Sequence, residues 1–348
     1  MEQNEDGFLK ALAERPDDRA LRLVFCDWLL EHSDPRGEAM ALFEKGALSA
    51  AERRQLEKLQ LRNGRKWLGP LGDAVVLEDC RFAGGLLHSV KFPANLPTAR
   101  YAALTGEPRL ATVRSITLEA GRATTEVGGF LAHPVLAQVV ELAADVPTLL
   151  QAQGFSFSPQ VLRLALWDPR ADLTVLAGCA ALRGATVLRL ATLEFIVPAF
   201  AEELADALVV SGALEGRKRL ELHARHATIE GVMQWLRAGA QRVRGALKGT
   251  IERWAVDYAE TQLALEGADF EDFTIDAIAT DARDSLKTRL ATAGTVLGLL
   301  DGIGIRRVDV RQIPGGRLTR DELNQLRTCL RRLKSLEEFR VGGVLQSP

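Results

Sequence analysis

The stretches Val-Leu-Arg-Leu-Ala-Leu at residues 161–166 and Val-Leu-Arg-Leu-Ala at residues 187–191 decide the predicted fold. Each alternates aliphatic side chains with polar or small ones, which is the period of a β-strand that has one buried face. Similar short stretches recur at residues 219–223, 273–276, 307–311 and 339–341. Amphipathic segments of helical period lie between many of them. The sequence therefore predicts a repeated unit of strand, loop and helix.

The spacing of leucines supports a repeat. Taken as equivalent positions, Leu118, Leu142, Leu166, Leu190 and Leu222 are separated by 24, 24, 24 and 32 residues. A single strand-helix unit cannot bury its own apolar face, so the units must stack on one another. The period and the strand pattern resemble those of leucine-rich repeats. That resemblance implies an α/β solenoid with a parallel sheet on one face and helices on the other; the number of repeats stays open.

Further elements follow from the same periodicities. Degenerate strands are predicted at residues 113–118 and 139–142, and another at 254–258. Helices are predicted at residues 172–181, 199–209, 229–238, 284–300 and 319–333. We expect residues 341–348 to fray, because they offer no strong cap.

The first 95 residues have a different pattern, which predicts a small, mainly helical module with a short strand pair. Apolar residues recur at helical spacing near Phe8, and Asp17 or Asp18 can cap the next helix. That helix is expected to bury Leu21, Val24, Phe25, Trp28 and Leu29 on one face. Helices around residues 39–43 and 50–61 are expected to follow, and then strands at 74–77 and 86–92.

Several motifs in this module carry a family resemblance. Phe-Leu-Lys-Ala-Leu at residues 8–12, Pro-Asp-Asp at 16–18, Leu-Arg-Leu-Val-Phe-Cys-Asp-Trp-Leu at 21–29 and Asp-Pro-Arg-Gly-Glu at 34–38 resemble the bacterial repeat-companion domain. The chain departs from the family pattern at Phe25, Cys26 and Leu30. The resemblance implies a repeat protein of bacterial origin and implies no reaction. It divides the chain into the module at residues 1–95 and a repeat region at residues 96–348. Within the motifs, we expect Asp27 and Arg36 to form an ion pair.

The amino-acid composition limits the class of protein to which this chain can belong. Hydrophobic residues make up 47% and charged residues 26%, with a formal net charge of -2. No basic footprint for nucleic acid follows from this net charge, and local basic patches stay open. The four cysteines, Cys26, Cys80, Cys179 and Cys329, are far apart, which argues against a zinc site or a disulfide framework and favours buried free thiols in a reducing compartment. No signal peptide or membrane-spanning run is recognisable, so we expect a cytoplasmic protein.

The predicted strands place polar residues on the face opposite the aliphatic one. These candidate partner-binding residues are Arg163, Arg189, Glu221, His223, Asp257, Asp276, Arg307, Asp309, Arg311 and Arg340. In chain order they form a ladder that is basic first, acidic in the middle and mixed last. Such a ladder is either a solvated sheet face or a surface that recognises a partner of complementary charge.

Catalytic signatures are largely absent from the sequence. It contains no nucleophile elbow, phosphate-binding P-loop, zinc-protease motif or kinase signature, and it implies no cofactor. His223 and His226, three residues apart, would lie near Asp257 and Asp276 if adjacent strands align. The alternative is an enzyme whose site is built from loops at the strand ends, with or without a metal ion bound through His223. The favoured hypothesis is a non-enzymatic interaction scaffold that binds a protein over its strand face. A regulatory or inhibitory subunit of a neighbouring effector is a further alternative. The identity of the partner and the oligomeric state stay open.

Overall fold

The computed structural model describes residues 4–119, 125–151, 154–166, 172, 184–243, 252–258, 261–267, 272–277, 296, 305–311 and 319–346. The fold is α/β, and the strands of this part of the chain form a sheet of thirteen in which neighbours in space follow in chain order. Among the strand pairs that the structure describes, β1–β2, β8–β9, β9–β10 and β12–β13 are antiparallel and the others are parallel. The strands are β1 (Arg81–Ala83), β2 (Leu86–Phe92), β3 (Ser115–Leu118), β4 (Glu141–Asp145), β5 (Val161–Leu166), β6 (Val187–Ile196), β7 (Arg219–Ala227), β8 (Arg253–Tyr258), β9 (Thr261–Glu266), β10 (Asp272–Ala277), β11 (Arg307–Arg311), β12 (Glu338–Val341) and β13 (Val344–Gln346).

Helices precede the sheet and alternate with many of its strands. They are α1 (Glu5–Glu14), α2 (Arg19–Glu31), α3 (Pro35–Glu44), α4 (Ala50–Leu68), α5 (Thr98–Leu104), α6 (Thr125–Leu131), α7 (Val146–Gln151), α8 (Pro198–Val210), α9 (Ile229–Ala238) and α10 (Arg320–Leu330). None of the helices in the described ranges is long and apolar enough to cross a membrane.

The chain divides into two compact units. The first comprises Met1–Arg163 with Cys179–Gly184, and the second comprises Leu164–Gly178 with Ala185–Pro348. The predicted boundary at residues 95 and 96 falls inside the first unit, between β2 and β3, which pair in parallel with Val90 opposite Ile116.

The helices at the start of the first unit are capped by side chains close to where the sequence suggests. Asp18 accepts a hydrogen bond from the Leu21 backbone N–H at 3.0 Å, so Asp18 is the N-cap of α2. Ser49 and Glu52 form a reciprocal capping box at the start of α4. These bonds satisfy donors that a helix otherwise leaves without partners.

The helical core of the first unit contains Phe8, Leu9, Leu12, Phe25, Cys26, Leu29 and Met40, and Trp28 packs against it. The Phe8 and Phe25 rings stack with centroids 4.8 Å apart. The prediction that Val24 belongs to the buried face of α2 is wrong, because 51% of it is exposed, and Cys26 is buried instead. The buried face of α2 is therefore rotated slightly about the helix axis relative to the predicted face.

Three other expectations for this unit need correction. Arg36 pairs with Glu5 and Asp34 rather than with Asp27, because the start of α1 lies beside the N-terminus of α3. The predicted strand at residues 74–77 is wrong: short 3₁₀ helices, Gly69–Asp73 and Leu77–Asp79, lie on either side of a turn there. Leu142 lies opposite Ile116 rather than Leu118, so the leucine spacing misaligns β3 and β4.

Most of the predicted elements of the second unit are confirmed. The strand at residues 307–311 and the helix at 229–238 have the predicted bounds, and Leu190 lies opposite Leu222 as expected. The prediction missed β9, and it was wrong about the C-terminal residues, since β13 pairs antiparallel with β12. The helices predicted at 172–181 and 284–300 fall almost entirely outside the described residues.

Helix α9 packs closely on the neighbouring strands. One contact is made by a glycine and another by a pair of stacked tryptophans. A Cβ atom on Gly231 would lie 1.9 Å from the Ile196 carbonyl oxygen, so only glycine fits there. The buried Trp235 and Trp254 rings stack with centroids 4.3 Å apart. Each indole N–H donates to a backbone oxygen, Trp235 Nε1 to Ala255 O at 3.1 Å and Trp254 Nε1 to Trp235 O at 3.0 Å. The pair is therefore buried with its polar atoms satisfied.

Candidate partner-binding face

The predicted site residues all lie on strands. Arg163 is in β5 at the edge of the first unit, and the other nine are in β6, β7, β8, β10, β11 and β12 of the second unit. Their aliphatic neighbours are buried; Leu188, Leu190, Leu220 and Leu222, for example, have no exposed surface. In the first unit, Arg163 Nε pairs with Glu141 Oε1 at 2.6 Å. The candidate site of the second unit is described by itself below.

Strand register aligns the polar residues of the second unit in three rungs that run across the sheet. The first rung is Arg219, Arg253, Glu266, Asp272, Arg307 and Glu338. The second rung is Arg189, Glu221, Ala255, Ala264, Thr274, Asp309 and Arg340. The third rung contains Asp257, Gln262, Asp276 and Arg311, with His223 in contact with Asp257. The side chain of Asp276 lies outside what the structure describes.

The rungs include residues that the sequence analysis missed. Arg253, Gln262, Glu266, Asp272, Thr274 and Glu338 belong to the face. Five of them, all except Thr274, lie on β9 or at the first residue of a strand that was predicted to start one position later. The alternation in Thr-Gln-Leu-Ala-Leu-Glu at residues 261–266 is the signal that could have identified β9.

The charges on this face neutralise one another across strands. Arg189 Nε lies 2.7 Å from Glu221 Oε2. Arg307 Nη2 donates to Asp272 Oδ2 at 2.9 Å. The predicted blocks of one sign are therefore broken up, because neighbouring strands supply carboxylates opposite the arginines.

Three further arginines of the face also have acidic neighbours. Arg311 donates to Asp309 Oδ2 at 2.8 Å and to Glu266 Oε2 at 3.1 Å. Arg340 pairs with Glu338, and Arg253 pairs with Glu266. Side chains held in this way are ordered before any partner arrives, which lowers the entropy lost on binding.

The centre of the face carries small residues. Ala255 and Ala264 have no exposed surface and Thr274 only 1%, although all three belong to the outward second rung. Arg253 in the first rung donates to Gln262 in the third, and Arg311 in the third reaches Glu266 in the first. Both contacts cross the second rung of the face.

A recess of about 170 Å³ opens beside this centre. It is lined by Asp272, Thr274, Arg307, Val308, Asp309, Arg311, Glu338 and Arg340. Two of these lining residues each have a buried oxygen, Thr274 Oγ1 and Asp309 Oδ1, that has no hydrogen-bond partner in the described part of the chain. Buried polar atoms in folded proteins are nearly always paired, so these two oxygens stand out among the polar atoms of the face.

His223 contacts two carboxylates without forming a metal centre. Its Nδ1 contacts Asp257 Oδ2, and its Nε2 lies 3.9 Å from Glu221 Oε2. His226 was expected in a loop, but β7 extends through it and it lies opposite Phe195. Within the described ranges, no group of three or more His, Cys, Asp or Glu residues could hold a metal ion.

The described cysteines, Cys26, Cys80 and Cys329, are free thiols, and the pKa values of Cys26 and Cys80 are raised. Burial, and then the charge of Asp27, raises the pKa of Cys26. Burial, with the nearby acids Asp79 and Glu78, raises the pKa of Cys80 to about 12. Both groups are protonated at neutral pH, and a protonated thiol is a poor nucleophile. Cys179 lies outside the described residues.

Comparisons with models of protein families, with curated proteins and with solved structures each found no match to this chain. The resemblances to the repeat-companion domain and to leucine-rich repeats stay predictions from the sequence.

Proposed function

We propose that this chain is a non-enzymatic scaffold that binds a protein partner over the outward sheet face of its second unit. The observation that carries the proposal is the set of three in-register rungs, in which charged side chains are ordered by ion pairs around a recess with unpartnered oxygens. A broad, polar, preorganised surface of this kind suits a macromolecule, whereas a small substrate needs a deep apolar cleft. Arg163, in the first unit, is proposed as a further contact.

The finer architecture belongs to the same proposal. The parallel strands, the helices between them and the sequence period support a leucine-rich-repeat-like solenoid. The capped helices α1 to α4 support a repeat-companion-like module at residues 1–95, preceding the solenoid at residues 96–348. The proposed setting is a bacterial cytoplasm. A regulatory or inhibitory subunit would use the same face and would differ only in what the bound partner does.

A charge exchange tests this function. The double variant Asp272→Arg with Arg307→Asp keeps an ion pair between β10 and β11, and it inverts the charge pattern that a partner meets. The matched control exchanges Lys218 and Glu252, an exposed pair 3.2 Å apart that precedes β7 and β8 and lies outside the rungs. Both variants should fold like the wild type, because surface ion pairs contribute little to stability.

The partner is captured from the native cell with the wild-type chain, crosslinked, and its contacts are mapped by mass spectrometry. We expect crosslinks to residues of the three rungs, and at least tenfold weaker binding by the Asp272/Arg307 exchange than by the Lys218/Glu252 exchange. Crosslinks confined to other surfaces, or equal affinities of the two variants, would contradict the proposed face.

A further inference from the structure

We infer that the recess between β10, β11 and β12 receives the ammonium group of a lysine side chain of the partner protein. The inference rests on the proposed function and adds the chemistry of one contact. Its structural basis is the pair of unpartnered oxygens, Thr274 Oγ1 and Asp309 Oδ1, in a recess of about 170 Å³.

The two oxygens belong to lining residues of the recess that face each other on neighbouring strands. Thr274 and Asp309 lie directly opposite each other in the parallel pair of β10 and β11. Adjacent strands are about 4.8 Å apart, so one donor group between the two side chains can reach both oxygens. Only 1% of Thr274 is exposed, so its hydroxyl has lost bulk water. Leaving such atoms unpaired is unfavourable, and a bound donor would remove that cost.

The charges around the recess favour a cation. Asp309 Oδ2 accepts from Arg311, which leaves Oδ1 as the open carboxylate acceptor. The other two arginines that line the recess pair with Asp272 and Glu338. An anion entering here would meet arginines that are already paired, and it would face the Asp309 carboxylate. A cation would meet that carboxylate and a hydroxyl, both of which can accept.

The arrangement suits an ammonium better than a guanidinium. An ammonium is compact and has three donors that rotate freely, so it can bond to oxygens on two different residues. A guanidinium is a flat fork that best matches both oxygens of one carboxylate, and Arg311 already occupies Asp309 Oδ2. The volume of the recess also accommodates the end of a lysine side chain, which enters from solvent with its methylenes trailing.

The first test uses a small probe on the full chain. Nα-acetyl-lysine methylamide and its uncharged counterpart Nα-acetyl-norleucine methylamide are titrated separately and followed by NMR. We expect the lysine probe to bind and the norleucine probe to give no saturable shift. Asp309→Asn should weaken the lysine probe at least tenfold and Thr274→Val about threefold. Glu337→Gln, an exposed residue before β12 that does not line the recess, should leave binding unchanged.

The second test uses the captured partner. Acetylation of its lysines removes the charge and should abolish the part of binding that depends on Asp309. Melting temperatures check folding; Thr274→Val should melt no lower than the wild type, since it removes an unpaired buried hydroxyl.

The outcomes distinguish a failure of this inference from a failure of the proposed function. If the lysine probe does not bind, and Asp309→Asn binds the partner as well as the wild type does, the recess holds only ordered water and the inference is overturned. The proposed face would still stand if the Asp272/Arg307 exchange weakened the partner. If that exchange had no effect while the lysine probe bound through Asp309, the proposed function would fail and the chemistry of the recess would hold.

Discussion

Arg36 shows how a single buried residue ties separate segments of the first unit together. It is 6% exposed, and its guanidinium meets Glu5 Oε1 at 2.6 Å and Asp34 Oδ2 at 2.6 Å. The hydrogen bond from Arg36 lowers the pKa of Glu5 below its ordinary 4.5. Burial opposes ionisation of Asp34, but hydrogen bonds from the Arg36 side chain and backbone outweigh it and lower that pKa below 3.8.

Arg36→Met should remove stability in a pH-dependent way. A carboxylate with a lowered folded-state pKa contributes stability above its unfolded pKa, and the contribution is lost as the pH falls through the folded value. We therefore expect a loss of about 2–3 kcal/mol at pH 7 that shrinks as the pH drops below about 4.5. Urea unfolding at several pH values measures it.

Arg19→Met is the matched control for that measurement. Its side chain is 66% exposed and pairs with Glu44, so its loss should cost less than about 1 kcal/mol. Equal losses for the two variants, or a loss for Arg36→Met that does not vary with pH, would show that the Arg36 ion pairs contribute no stability.

At the scale of the element, the sequence predicts what local periodicity encodes. Strands such as 161–166 and the helix at 229–238 have strong patterns, and the structure confirms their bounds. The boundaries that failed depend on tertiary pairing: β7 continues past residue 223 because β6 continues beside it. Likewise, β9 exists as a separate strand because β8 and β10 hold it on both sides.

The candidate site, likewise, could be predicted from the sequence only in part. Alternation placed Arg189, Arg307 and Arg340 on strands, and strand order then placed them in one face. The alternation could not identify the acidic partners of these arginines. Asp272 lies opposite Arg307 only because of the register between β10 and β11, and the two residues are 35 positions apart in the chain. The recess at Thr274 arises only from that register, so no motif in the sequence marks it.

Gly231 offers a test of how closely α9 must approach the sheet. An added Cβ would meet the Ile196 carbonyl oxygen at 1.9 Å, a backbone atom that cannot turn aside. Gly231→Ala should therefore lower the free energy of unfolding by about 3 kcal/mol, measured by urea titration and the fluorescence of the buried tryptophans. Gly129→Ala is the control, since Gly129 is helical with no atom within 4 Å of the added Cβ, and it should raise stability by about 0.5–1 kcal/mol. A small loss for Gly231→Ala would mean that the helix can shift outward.

At the scale of the whole molecule, charge is balanced both in total and on the proposed face. The formal net charge is -2, and acidic partners are found for five of the six arginines of the rungs, namely all but Arg219. Long-range attraction of a partner depends on uncompensated charge, whereas paired charges act mainly at contact. The face should therefore contribute specificity at short range and little acceleration of the encounter.

The association rate should accordingly depend weakly on salt. Between about 0.05 and 0.5 M salt, we expect the rate constant for the captured partner to fall less than about threefold, because screening removes only uncompensated interactions.

The single variant Arg307→Asp leaves Asp272 without its arginine and makes the face acidic. A partner that presents lysine should then associate faster at low salt and with a steeper salt dependence. Stopped-flow kinetics measure both slopes, and a wild-type rate that falls tenfold or more would mean that an unpaired charge dominates recognition and that the paired rungs do not.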